Sequence, residues 1–294
     1  MTFSQDGGFL RSGADVNGMI RTGEMMMRYL GCVGDSVGQV PWLDAWLGKN
    51  PNCPVKFATF EGVASFAFQR VQERISSKKK RDIDDFLDNF LEAKTKYPVV
   101  NDEGIVSYTM LNLLAGADTT AIIAKATLYY VGLDASVRAK LVAELDAAHL
   151  SFPPSFEETK GLPYLNAVIK ESMRMHPVIN GILERVVPAD GLALPDGRMI
   201  DPGTKIGINP WVLARSESIY GENADTFHPE RWLQGKNESE KAYDTRMKRF
   251  SDADLTFGAG NRICVGRHMA HVEMHKIIAT LFSRYDQDHI GHQL

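Results

Sequence analysis

The chain has 294 residues, a net charge of −4, a pI near 6.1 and 44% apolar side chains. That length suggests about two domains or one large one, with a sizeable core, and the acid balance argues against a general nucleic-acid binder. The three cysteines, Cys32, Cys53 and Cys264, are too scattered for a disulfide framework, which suggests a reducing compartment; the opening MTFSQDGGFLRSGADVNG has no apolar run of signal or membrane length, so the chain as written reads as soluble and untargeted.

Residues 1–60 read as irregular, rich in glycine and methionine. Met25, Met26 and Met27 fit either core filling or an adaptable wall of a hydrophobic ligand site. The stretch SSKKKRDIDDFLDNFLEAKTK opens with a basic run that reads as a solvated helix end. It then places Ile83, Phe86, Leu87, Phe90 and Leu91 at helical i, i+3, i+4 spacing. A long helix is expected from Asn101 to about Gly132; its middle is apolar or small, so burial on several sides is expected. Helices follow over SVRAKLVAELDAA and LPYLNAVIKESMRM, the second stopping before Pro177. Then LERVV, LALPDGRMI and TKIGINPWVLA read as short strands, with turns at Pro195-Asp196-Gly197 and Pro202-Gly203-Thr204. FHPERW reads as irregular and GKNESEKAYDTRMKRFSD as a polar surface loop. A cysteine loop and a last helix, GRHMAHVEMHKIIATLFSRY, end the pattern. The predicted class is mainly α with a small β-rich region.

Three stretches carry chemistry. In FGAGNRICVG, residues 257–266, Cys264 has no cysteine or histidine partner at zinc-type spacing, so it acts as a single sulfur. A metal-ligating thiolate is expected to be shielded from water while free N–H groups and a following helix N-terminus stabilise its charge. Gly260 and Gly266 permit a tight turn and leave room for a flat ring. Arg262 offers a fork for a carboxylate, and Phe257 can cover the sulfur. The loop alone fits a buried inert cysteine equally well.

In LLAGADTTA, Asp118 sits among apolar neighbours, where burying a carboxylate is costly. Thr119 and Thr120 can bond back to carbonyls four residues earlier and bend the helix, and Gly116 eases a local opening. An acid beside an alcohol suits proton relay through water; a structural aspartate facing a cavity or an arginine is the alternative. In Glu171-Ser172-Met173-Arg174 the charges share a helix face. Their apolar neighbours Val168, Ile169, Met173 and Met175 suggest burial, and a buried pair needs further partners. Arg231 in FHPERW is the candidate third member.

Taken in order, these stretches resemble the cytochrome P-450 family of haem-thiolate monooxygenases. Phe257-Gly258-Ala259-Gly260-Asn261-Arg262-Ile263-Cys264-Val265-Gly266 matches the signature F-x-x-G-x-R-x-C-x-G at every fixed position. Ala115-Gly116-Ala117-Asp118-Thr119-Thr120 matches the oxygen-activation motif, Glu171 and Arg174 match E-x-x-R, and Phe227-His228-Pro229-Glu230-Arg231 matches the P-E-R segment. The layout looks most like the fungal members. The resemblance implies that Cys264 is the axial ligand of the iron in haem b, whose oxygen chemistry thiolate donation favours. It implies proton delivery by Thr119 and Asp118, an oxygen side lined by Ala115 or Ala117, and propionate contacts from Arg185 and Arg262. Phe257, Gly258 and Gly266 would surround the cofactor. Glu171, Arg174 and Arg231 would lock the fold, and Ile179, Ile182 and Leu183 would face the substrate. Implied partners are O2, a small apolar organic substrate and an NADPH-dependent cytochrome reductase, at the endoplasmic reticulum face for a full-length member.

Family members begin with an anchor and further helices and close with further strands. By this resemblance residues 1–294 read as a partial domain, the C-terminal two-thirds or so of the fold. Two function classes follow: a monooxygenase inserting one oxygen atom from O2 into the substrate, or a non-catalytic truncated remnant with weak or no haem binding. Relatives of the isomerase type need no O2 protonation, so Asp118-Thr119 favours the monooxygenase.

Overall fold

The structure, a computed structural model, describes residues 2–4, 6–29, 40, 42, 46, 61–77 and 84–285. Cys32, Cys53, the lysine run at 78–80, Ile83 and the side chains of Met26 and Met27 lie outside the described residues. The chain divides into two units, Met1–Asp118 and Thr119–Leu294. Both are mainly helical, and the few strands are short and antiparallel.

The first unit carries helices α1 (Phe9–Ser12), α2 (Met19–Tyr29), α3 (Glu61–Ser76), α4 (Phe86–Lys96) and the first part of α5 (Asp102–Leu133). The irregular reading of residues 1–60 is therefore corrected at α1 and α2. Glycines and methionines hide any apolar period there, but Asp15 caps α2, its carboxylate accepting from the N–H groups of Ile20 at 2.8 Å and Arg21 at 3.0 Å. Helix α3 was not anticipated, although Phe66, Ala67 and Val71 do share a buried face. Helix α4 begins at a capping box between Asp85 and Asp88. The core holds Phe3, Phe66, Ala67, Val71, Leu87 and Ile105.

A buried ion cluster ties α3 to the start of α4. Arg74 donates to Asp85 Oδ1 at 2.9 Å and Oδ2 at 2.8 Å, and also reaches Asp88 and the Phe3 carbonyl. Burial alone would raise the Asp85 carboxyl. The Arg74 fork outweighs it, helped by the Asp88 N–H and the Ser4 hydroxyl, and the group is held well below the usual carboxylate range. A carboxylate depressed in the folded state contributes stability above its unfolded pKa, about 3.9, and loses it as pH falls toward the folded value. Urea unfolding followed from about pH 5 to about pH 2 should show a steeper acid loss for the wild type than for Asp85→Asn. Parallel curves would mean that this cluster is not coupled to folding.

The second unit carries the rest of α5, then α6 (Ala135–Ala147), α7 (Phe156–Thr159), α8 (Pro163–Met175), α9 (Pro210–Leu213), α10 (Glu217–Tyr220), α11 (Glu240–Ala253) and α12 (Arg267–Arg284). Its core joins Ile123 and Val131 of α5, Val137, Leu141 and Leu145 of α6, Leu165, Val168, Ile169 and Met173 of α8, and Met274, Ile278 and Phe282 of α12. Helix α8 starts at Leu162, whose side chain supplies no cap. Glu144 of α6 does so instead: its two carboxylate oxygens accept the N–H groups of Tyr164 and Leu165, each at 2.8 Å.

Strand β1 (Leu183–Val186) pairs antiparallel with β4 (Lys205–Ile208), Leu183 opposite Ile208; β2 (Leu192–Ala193) and β3 (Met199–Ile200) form a hairpin. Its turn is closed by Gly197, at φ 86°, donating to the Leu194 carbonyl at 2.9 Å. Three expectations are corrected. The strand over TKIGINPWVLA stops at Ile208, because the Asn209 side chain accepts from the N–H groups of Trp211 and Val212 and starts α9. The polar stretch at 235–252 is mostly helix α11: Ser239 caps it, and Phe250 is buried against Tyr220 and Trp232. FHPERW holds a 3-10 turn at Pro229–Trp232. No helix among the described residues is long and apolar enough to cross a membrane.

Candidate functional site

The cysteine loop forms because its glycines take conformations closed to other residues. Gly258 has φ 73° and Gly260 φ 62°. The Gly258 N–H donates to the Leu255 carbonyl at 2.9 Å, and a 3-10 turn follows at Gly260–Arg262. The loop closes where the Cys264 N–H donates to the Phe257 carbonyl at 2.8 Å. Cys264 then stands just ahead of the 18-residue α12, and its sulfur folds back so that a Cβ at Gly266 would lie 3.9 Å from it.

The loop does not shield the sulfur. Cys264 is exposed, and so are Ile263 and Val265, the latter at 97%. Phe257 is half-buried and turned toward the core, its ring 5.2 Å from that of His271. Burial, then the neighbouring His275, pushes the His271 imidazole below its ordinary value.

Arg185 of β1 reaches this loop, one guanidinium nitrogen donating to the Ala259 carbonyl at 3.4 Å. Arg185 and Arg262 are both exposed. Ile179 and Ile182 are exposed, at 55% and 62%, and Leu183 is half-buried. Ile182 lies over β4: a Cβ at Gly207 would stand 2.3 Å from its Cγ2 and 2.9 Å from the Leu183 carbonyl oxygen, and the backbone contact leaves room only for glycine. Position 207 drew no attention in the sequence, where a lone strand glycine has many meanings.

The long helix runs unbroken from Asp102 to Leu133, without the opening expected near Gly116. It is buried along a stripe that includes Ile105, Thr109, Thr120, Ile123, Thr127 and Val131, whereas Ala115, Gly116 and Ala117 are exposed. The expected burial on several sides is thus corrected: a straight helix presents one face to its core. Asp118 and Thr119 are half-buried. Back-bonding hydroxyls occur at Thr109, to Ile105, and at Thr127, to Ile123.

The structure brings Glu171, Arg174 and Arg231 together. Glu171 is fully buried and accepts from Arg174 Nε and Nη2, both at 2.8 Å, and from Arg231 Nε at 2.9 Å. Two donors were not foreseen, the Trp232 indole at 2.9 Å and the His228 N–H at 2.8 Å. The indole had a signal: a tryptophan beside a buried arginine needs a partner for its N–H. The excess positive charge spreads over backbone carbonyls. Arg174 Nη1 donates to Ala214 and Ala224, both at 2.6 Å, and Arg231 to Tyr220 and Asn223. Arg174 also stacks over the Tyr220 ring at 5.1 Å, and burial pushes that phenol up to about 12. So the cluster joins α8, α9, α10 and the turn at 229–232, and it is saturated with partners. Such a group holds elements in place rather than reacting.

The family described as Cytochrome P450 matches residues 24–292. The chain is 40% identical to a protein named Cytochrome P450 monooxygenase cfoH, from Aspergillus candidus, over 97% of this chain and 53% of that protein. It is 34% identical to Cytochrome P450 monooxygenase cicH from Emericella nidulans, over 97% and 56%. With Cytochrome P450 monooxygenase vrtE from Penicillium aethiopicum the identity is 32%, over 96% and 56%. The chain thus spans about half the length of the curated relatives it matches.

Proposed function

Because this chain belongs to the cytochrome P450 family, we propose that the protein is a haem-thiolate monooxygenase that inserts one oxygen atom from O2 into a small apolar organic substrate. Haem b is the cofactor, and an NADPH-dependent cytochrome reductase at the endoplasmic reticulum face supplies the electrons. The observation that carries the reading is the exposed Cys264 sulfur at the start of α12, in a loop closed on the Phe257 carbonyl.

The residues present fit a haem. Among the described residues no group of three His, Cys, Asp or Glu side chains is arranged to hold a metal. The loop brings one sulfur, Cys264, to an exposed position, which would suit a haem iron that takes a single thiolate from the protein. When bound, the haem would supply the binding of O2 and its reductive activation. Cys264, just ahead of α12, would ligate the iron through its sulfur. Arg185 and Arg262, both exposed cations, would hold the propionates. Gly258 and Gly266 would leave room for a flat ring against the loop that also holds Phe257, and Ala115 of the α5 motif is a further candidate for contact with the cofactor.

Ile179, Ile182 and Leu183 offer an apolar surface suited to an apolar substrate. One oxygen atom enters the substrate and the other leaves as water, which requires protons. Asp118 takes a proton from solvent at its carboxylate, and the Thr119 Oγ1 passes it on. Glu171, Arg174 and Arg231 hold the frame.

The relay has a direct test in the full-length protein. Thr119→Ala should still bind haem, CO and substrate and still consume NADPH, but more of it should end as hydrogen peroxide. Asp118→Asn should slow turnover by about 10²-fold, the usual worth of a lost general acid. Product formed per NADPH consumed is the measurement. Wild-type coupling in Thr119→Ala would show that the acid–alcohol pair is structural.

A further inference from the structure

Asp118 rests on the backbone of α2. A Cβ at Gly23 would stand 3.1 Å from Asp118 Oδ2, and 3.8 Å from its Cγ and Oδ1. Gly23 is buried in mid-helix with no left-handed φ. Its backbone conformation therefore does not call for glycine, and after proline it is the residue a helix interior least favours. Something else accounts for it, and the carboxylate is the nearest group. Helix α2 is also held from other sides. Asp15 caps its first turn, and α3 packs on the turn that leads into it, where a Cβ at Gly62 would lie 3.2 Å from the Asn17 carbonyl and 3.9 Å from Thr22 Oγ1 of α2. A side chain at position 23 meets a helix with little freedom to retreat and a carboxylate on two soft torsions. The carboxylate is the part that gives way.

We propose that Gly23 is a positioning residue for Asp118: its bare backbone seats the carboxylate against α2 and so sets where the acid of the α5 motif stands. The proposal rests on Asp118 acting as the relay acid. It makes α2, remote in sequence from every motif, part of the proton-delivery apparatus. It also separates function from stability. A methyl group at position 23 improves helix propensity while it moves the carboxylate by a few tenths of an ångström.

The test is a double-mutant cycle in the full-length protein: wild type, Gly23→Ala, Asp118→Ala and the double variant. Gly23→Ala should lower product per NADPH by about threefold to tenfold, as small misplacements of a reacting group do, with an unchanged or higher thermal midpoint. In the Asp118→Ala background the same substitution should leave coupling within about twofold and raise the midpoint by a further ~1–2 °C, because the crowded oxygen is gone. Wild-type coupling in Gly23→Ala, or the same fold-loss in both backgrounds, overturns the proposal. Should Asp118→Ala itself keep wild-type coupling, the relay reading falls. The seating is then judged on the midpoints, and equal gains from Gly23→Ala in both backgrounds reject it.

Discussion

Arg174→Ala should cost about 3–5 kcal/mol of stability, as breaking a buried ion pair from one side typically does, and should abolish haem incorporation although Arg174 is not proposed to touch the haem. The substitution strips Glu171 of two of its donors while leaving it fully buried. It also leaves the carbonyls of Ala214 and Ala224 without the guanidinium nitrogen that bonds both. Each loss exposes a desolvated polar group with nothing in return. Against a net stability of about 5–15 kcal/mol, the sum decides whether the unit folds. Lysine cannot stand in: an ammonium is a point charge and cannot hold Glu171 through two nitrogens while reaching two carbonyls with a third. The control is Lys140→Ala, which removes an exposed ion pair to Glu230 at 2.6 Å and should cost under about 1 kcal/mol. Urea unfolding of both variants in the full-length protein separates the cases. Equal costs would mean that the Glu171 cluster holds nothing together.

Cys264→Ala should remove the strongly red-shifted Soret band of the reduced, CO-bound protein, because that shift comes from a thiolate on the iron and alanine offers no donor. Cys32→Ala and Cys53→Ala should leave the band in place. The loop itself should survive the change: its closing bond uses the Cys264 N–H, which alanine keeps, and its turns depend on Gly258 and Gly260. Loss of the band with unchanged thermal unfolding of the haem-free protein is therefore the expected pair of results. The band persisting in Cys264→Ala would remove Cys264 from the iron and with it the main support for the proposed chemistry.

Elements whose signals lie within a turn of their own residues were legible in the sequence. The apolar period of α4, the helices α6 and α8, and the turns at Pro195–Gly197 and Pro202–Thr204 all fall there, as does the sharing of one helix face by Glu171 and Arg174. Helices α2 and α11 escaped because local composition argued against them, with a glycine inside the first and an almost wholly polar surface on the second. What makes α11 a helix is Ser239 at its start and the burial of Phe250 against Tyr220 and Trp232, which sit on other elements.

The motifs and their order in the sequence by themselves determined the family and pointed to one sulfur, one acid–alcohol pair and one ion pair as the groups to watch. Spacing over a few residues sets which side chains share a face, and that information is local. Tertiary structure alone decided what those groups touch. It brought Arg231, the Trp232 indole and the His228 N–H onto Glu171 from about sixty residues away, and it used Glu144 of α6 to cap α8. It laid Asp118 against the bare backbone of Gly23 and left Cys264 exposed at the start of α12. Each of these pairings depends on how distant segments pack. A buried donor or acceptor must find a partner somewhere, and which one it finds is settled only when the chain has closed around it.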